Sequence, residues 1–128
     1  MERDHEALVG DLFQLLGYRL PEEIRFRLGR MDICLLDEQE VLLIGEVKKD
    51  WDLSSDPDKA LRQAYNYANE QVKGIRYVVI TNADYYAVYD RKKGLSYQDS
   101  LVGRFRITRL DMEGLAVLET LRKGRLLK

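Results

Sequence analysis

Residues 31–48 read MDICLLDEQEVLLIGEVK, and this stretch decides the fold. Two apolar runs, Met31–Leu36 and Val41–Val47, flank the polar turn Asp37-Glu38-Gln39-Glu40. Short apolar runs bounded by a turn predict two buried antiparallel strands. Three charges interrupt them: Asp32, Glu46 and Lys48. Burying an unpaired charge is expensive, so each needs a reason. Glu46 and Lys48 are two apart and share a strand face. A three-residue turn, 38–40, pairs Asp37 with Val41 and sets Asp32 opposite Glu46. A four-residue turn sets Asp32 opposite Gly45, so the pairing rests on register or on a bulge.

Two carboxylates facing each other with roots about 5 Å apart repel. Either one takes a proton or a cation binds between them. All-oxygen ligation suits Mg²⁺ or Mn²⁺. A lysine beside a metal-bound water suits hydrolysis of a phosphodiester. The alternative is a plain salt bridge, Lys48 with Glu46 or Asp32, at which nothing reacts.

Working outward, Ile24–Leu28 alternates with period two and predicts a half-exposed strand. Residues 2–17 have helical spacing, with Leu8, Leu12, Leu15 and Leu16 as the apolar stripe, Phe13 beside it and Gly17 as C-cap. Downstream, Lys49 to Pro57 is a polar loop, in which Ser55 or Asp56 caps the next helix. Residues 58–72 are helical, with a narrow stripe of Ala60, Ala64, Tyr67 and Ala68. Strands follow at Tyr77–Ile80 and Tyr85–Tyr89, residues 95–103 are ambiguous, and Arg104–Leu110 alternates. Met112–Leu121 closes the chain as a helix with Leu115, Leu118 and Leu121 apolar. No linker or repeat interrupts 1–128, so one domain is expected. It is of α/β (α+β) class, a mixed sheet flanked by helices in the order αβββαβ, with one more strand, then an appended strand and helix.

The chain has 128 residues, 45% apolar and 34% charged, enough to bury one core. That excludes a disordered or low-complexity chain. No apolar run approaches the ~18 residues of a membrane span, and no signal-peptide core follows the N-terminus. A single cysteine, Cys34, excludes a cysteine metal cluster, and a single histidine, His5, makes no histidine site or triad. The expectation is a cytoplasmic domain, not a membrane protein, whose chemistry rests on carboxylates and lysine. Net charge is −1. Residues 1–90 carry 11 basic and 18 acidic groups, whereas 91–128 carry 10 and 4. Such asymmetry marks either a phosphate-facing surface or a solvated tail.

Other candidates are weaker. Gln63 and Tyr67 are four apart on one helix face and can reach a phosphate or water; alternatively they are surface and core. Glu2 and Glu6, also four apart, either lean over a metal or stabilise their helix N-terminus. Trp51 reads as a base-stacking residue or a packing anchor. His5 and Cys34 read as structural, and Asp84, Tyr85 and Tyr86 as turn and sheet surface.

Gly29-Arg30-Met31-Asp32, thirteen residues, then Glu46-Val47-Lys48-Lys49 resembles the PD-(D/E)xK nuclease superfamily, and Gln63-Ala64-Tyr65-Asn66-Tyr67 resembles its Q-x-x-x-Y variant. The combination, spanning about residues 2–90, is most similar to the N-terminal nuclease domain of type I restriction enzyme R subunits. The resemblance implies a restriction-endonuclease-like core and Mg²⁺- or Mn²⁺-dependent cleavage of DNA, as an endonuclease. Carried over, Asp32, Glu46 and the Val47 carbonyl match metal ligands, Lys48 the catalytic lysine, and Gln63 and Tyr67 the accessory motif. The first-helix acid is Glu6 or Glu2, with Glu6 preferred because it lies deeper in the helix. Met31 stands where the motif name has proline, and no helicase motor follows. The acidic first ninety residues leave Arg30, Lys49, Arg91, Lys92, Lys93, Arg104 and Arg106 as DNA contacts, with Arg109 near them. The acidic balance suggests a larger partner or a basic second subunit, and a homodimer is expected on a separate ground, since one site cuts one strand and a two-fold pair cuts both. The alternatives are a weak or inactive nuclease-fold module that binds nucleic acid or a protein partner, and a structural protein with a salt-bridged pair.

Overall fold

The computed structural model describes residues 2–29, 31–49, 58–71 and 74–126. Helix α1 (Glu2–Leu15) precedes strands β1 (Ile24–Phe26), β2 (Ile33–Asp37) and β3 (Glu40–Val47). Helix α2 (Asp58–Glu70) leads to β4 (Tyr77–Thr81) and β5 (Tyr85–Asp90). A one-turn helix, α3 (Tyr97–Ser100), then β6 (Leu101–Arg106), a 3₁₀ turn (Ile107–Arg109) and α4 (Met112–Thr120) complete the described chain. The fold is α+β. One six-stranded sheet runs β1-β2-β3-β4-β5-β6, antiparallel except for the parallel pair β3–β4. A parallel pair needs a long crossover, and α2 lies in it. No helix among the described residues is long and apolar enough to cross a membrane.

Both sheet faces are covered. On one, Val9 and Phe13 of α1 and Val117 of α4 meet Leu35, Leu43, Val79, Val88 and Phe105. On the other, Ala60, Leu61, Ala64 and Ala68 of α2 meet Cys34, Ile44, Val78, Ile80 and Ala87. Small residues let α2 lie close to the strands, as its stripe predicts.

The α1 stripe is rotated from the leucine pattern. Glu6, Val9, Gly10 and Phe13 face inward, while Leu8 and Leu15 are 57% and 86% exposed. Gly10 favours the rotation: a Cβ there would lie 2.6 Å from Cζ of Phe26, so any larger residue would have to push that ring aside. The C-cap falls where expected. Gly17 has φ +106°, the Gly17 amide donates to Gln14, and the Tyr18 amide reaches back to Phe13. The two rings then meet edge to face, 6.1 Å between centroids, the apolar contact that accompanies this cap. At α4, Gly114 and Val117 face inward, Leu118 packs against the core and Leu121 at the helix end is fully buried, as expected, whereas Leu115 is half exposed.

Tyr86 is core rather than sheet surface. It is fully buried and stacks on Phe105 at 4.8 Å. Cys34 is buried too, and burial pushes its thiol up to about 11, as fits a structural residue.

The β2–β3 hairpin departs from the three-residue turn. Asp37 pairs with Glu40 across a two-residue loop, Glu38-Gln39, with φ +48° and +70°. Two positive φ angles are the signature of a type I′ turn, which twists as the strands do. Leu42 is then an extra residue: Leu36 pairs with Val41, but Leu35 pairs with Leu43.

The C-terminal residues are clasped to the first loop. The Tyr18 hydroxyl donates to the Leu121 carbonyl at 2.9 Å, and the Lys123 amide to Leu16 at 2.9 Å. The Lys123 ammonium lies 2.6 Å from Glu23. That contact is the main reason the Glu23 carboxyl is held below its usual range; burial opposes it and the Arg19 amide adds to it.

Two outcomes are expected. Replacing Glu38-Gln39 by Asn-Gly relieves the positive-φ strain and raises stability by about 1 kcal/mol, read from thermal melting. Glu23 titrates lower folded than unfolded, so its contribution is present above about pH 4.3 and is lost as pH falls through the folded value. Lys123→Ala therefore melts below wild type at pH 7, and the two melting curves converge in acid.

Candidate active site at the end of strands β2 and β3

The extra Leu42 sets the site. Beyond the bulge, Ile33 pairs with Gly45, so the next position outward sets Asp32 opposite Glu46. Ile33 fits because Gly45 has no side chain; a Cβ there would lie 2.7 Å from the Ile33 Cγ2. Ile44 and its partner Cys34 belong to the α2-side core. Alternation therefore puts Glu46, Lys48 and Asp32 on that same face.

Each charge has a partner. The Val47 amide donates to Asp32 Oδ2 at 2.8 Å. This bond continues the β2–β3 ladder with a side chain, just where β2 has ended. The Val47 carbonyl shares this side of the strand with its amide. Glu46 is 4% exposed, and its Oε2 lies 3.5 Å from the Lys48 ammonium, which is half exposed. The Lys48 amide donates to Thr81, so β4 fixes the backbone that carries it.

Glu6 is buried at 5% exposure on α1, and Arg27 Nη2 donates to its Oε2 at 2.7 Å. The Arg27 amide also donates to the Asp32 carbonyl at 2.9 Å, at φ +57°. Arg27 thus ties α1 to the chain at Asp32. Its place in an alternating run made it look like ordinary strand surface, and nothing in the sequence signals the turn in its backbone. Among the described residues, no three of His, Cys, Asp and Glu converge as a metal-ligand group. The site offers the Asp32–Glu46 pair, and Mg²⁺ needs no more, since it is commonly held by one or two carboxylates and keeps several waters.

Tyr67 reaches the same loop from α2. Its ring covers Gly29, where a Cβ would lie 3.0 Å from Cζ and closer still to the hydroxyl. Gly29 also has φ +63°, so two constraints select glycine here. Gln63, one turn earlier, is exposed. Arg30, Trp51 and the capping candidates Ser55, Asp56 and Pro57 lie outside the described residues, as does the side chain of Glu2.

The basic residues do not line one rim. Arg91, Lys92 and Lys93 follow Asp90, which pairs with Tyr77 at the start of β4. Glu46 instead pairs with Ile80 near the end of that strand. The 91–93 turn is therefore at the far end of the sheet, about 13 Å of strand away by rise per residue. An open groove of about 800 Å³ lies there, lined in part by Glu40, Ile75, Arg76, Tyr77, Arg91 and Lys92. Its arginines are engaged, Arg76 with Asp90 through two 2.8 Å bonds and Arg91 with the Ile75 carbonyl. Lys93 donates to the Leu101 carbonyl. Lys49 is exposed next to Lys48, and Arg104 and Arg106 are at the carboxylate end.

The Gly29–Tyr67 contact separates into two parts. Gly29→Ala should destabilise by about 2 kcal/mol, from backbone strain and the ring contact together. In a Tyr67→Ala background the ring contact is gone and about 1 kcal/mol of strain should remain. Additive effects in this double-mutant cycle would refute the contact.

No family model, curated protein or solved structure matches this chain.

Proposed function

We propose that this chain is a divalent-metal-dependent DNA nuclease that hydrolyses phosphodiester bonds by attack of an activated water. The observation that carries this reading is the row formed by Asp32 and Glu46, with Lys48 one pleat further on the same face. The element order α1-β1-β2-β3-α2-β4 supports a restriction-endonuclease-like core. Asp32, Glu46 and the Val47 carbonyl would hold Mg²⁺ or Mn²⁺, which when bound neutralises phosphate charge and makes a water more acidic.

The chain's own groups do the rest. The Val47 amide holds one oxygen of Asp32 and so fixes the carboxylate against β3. Burial of Glu46 strengthens its attraction for a cation. The Lys48 ammonium is close enough to Glu46 to be oriented by it and exposed enough to reach a substrate oxygen or water. Its role is to donate hydrogen bonds, as a retained ammonium, to an oxygen on which charge develops. Tyr67 covers Gly29 and holds the loop that leads to Asp32.

A second reading has one observation in its favour. Arg27 engages Glu6, and among the described residues no third carboxylate gathers at the pair. That suits a weak or inactive module that grips nucleic acid without cutting it.

The test combines melting with cleavage. Mg²⁺ or Mn²⁺ should raise the melting temperature of wild type but not of Glu46→Gln, since a ligand stabilises the state it binds. Supercoiled plasmid should be cut by wild type, and Lys48→Ala should be slower by about 10²-fold or more. Asp32→Asn keeps an acceptor for the Val47 amide while removing the charge, so it should fold normally and lose activity. Asp32→Ala also leaves that amide unpaired and should lose about 1–3 kcal/mol of stability. Duplex binding with no metal-dependent cutting would favour the second reading.

A further inference from the structure

The strand register extends the site across the sheet. Glu46 pairs with Ile80, Ile80 with Ala87, and Ala87 with Arg104. Paired residues share a face, so Arg104 stands on the same face and in the same row as the carboxylates. Three strand spacings separate it from Glu46, about 14 Å. Between them the row holds Ile80 and Ala87, both buried and uncharged. Arg104 is exposed on β6, the edge strand, and its guanidinium lies beside the Tyr89 hydroxyl.

Arg106 flanks it. It pairs with Tyr85, and its guanidinium sits 4.7 Å from the centre of that ring. It is also 3.4 Å from Asp84. Burial alone would raise the Asp84 carboxyl, but hydrogen bonds from the Thr108 amide and hydroxyl and from Arg106 hold it below its usual range. The Arg106 charge is therefore partly balanced in place, and that of Arg104 is the stronger of the two toward an outside anion.

We infer that Arg104, flanked by Arg106 on Tyr85, is a remote phosphate contact for the DNA strand whose scissile phosphate lies at Asp32 and Glu46. This rests on the nuclease reading. Because α2 packs over Ile80 and Ala87, the DNA strand would pass across the end of the sheet, and 14 Å sets a minimum of about four nucleotides at a rise of about 3.4 Å each. The contact therefore positions the strand and does no chemistry on it. It also counters the repulsion that the acidic cluster exerts on a polyanion.

Binding of a fluorescein-labelled duplex, about 20 base pairs long, tests this through its salt dependence. It is measured by anisotropy in the Lys48→Ala background with Mg²⁺, so that cutting is slow. Each phosphate contact adds about 0.9 to the slope of log K against log salt. Arg104→Ala should lower the slope by about 1 and weaken binding about tenfold. Arg106→Ala should do the same to a smaller extent, and Arg104→Lys should restore most of the slope. Lys92→Ala, at the far end of the sheet, should change neither. The inference is overturned if Arg104→Ala leaves the slope unchanged, if Lys92→Ala lowers it as much, or if no salt-dependent binding occurs. Metal-dependent cleavage by the otherwise wild-type chain is scored separately. Cleavage with an unchanged slope removes the remote contact and leaves the nuclease. A lowered slope without cleavage keeps the contact as a phosphate site and removes the nuclease.

Discussion

One extra residue in β3 governs the rest of the site. The two-residue turn pairs Asp37 with Glu40, and an uninterrupted ladder from that pair would carry Asp32 opposite Gly45. A one-residue slip changes which side chains share a face. The bulge at Leu42 absorbs that slip, so Ile33 meets Gly45 and Asp32 meets Glu46. The absent side chain of Gly45 then receives Ile33, a large-against-small pair that opposes sliding in either direction. The two acids are thus neighbours because of packing one step inside them.

The same constraint determines how the acids are tolerated. Asp32 is where β2 ends, and its carboxylate takes the ladder bond that the Val47 amide would otherwise lack. Glu46 is buried but has Lys48 beside it. Among the described residues, each of these contacts is made at the strand end itself. The Lys48 side chain is half exposed, so this end of the cluster reaches the surface. Arg27 adds a second anchor, linking Glu6 to the backbone at Asp32.

What the sequence shows follows from period and chemistry. The strand and helix order is legible because apolar spacing and turn residues mark each element, and Gly17 ends α1 through the cap its position suggests. The Asp32–Glu46 pairing is legible only up to register. The turn length is two rather than three, and the bulge compensates by one, so the expected pair forms by a different route. Leucine spacing misplaces the inner face of α1 because it ignores how closely Gly10 approaches Phe26. Tyr86 is misread because a tyrosine following a turn looks like surface, whereas its ring stacks on a phenylalanine nineteen positions later. Arg27 is invisible for a related reason: a positive φ on arginine leaves no mark in the sequence.

Charge shows the same limit on a larger scale. The acidic first ninety residues and basic last thirty-eight look like two faces, but the sheet does not keep them apart. The turn at 91–93 lies at the far end of β4 and β5, with Arg91 bonded to backbone and Lys93 reaching Leu101. Strand β6 then runs antiparallel to β5 and returns the chain to the carboxylate end, bringing Arg104 and Arg106 with it. Only part of the basic excess therefore reaches the acids, and it arrives as a compact group across three strands. The strands that carry the two groups are three spacings apart, about 14 Å. The antiparallel return of β6 is what brings that group to the carboxylate end of the sheet.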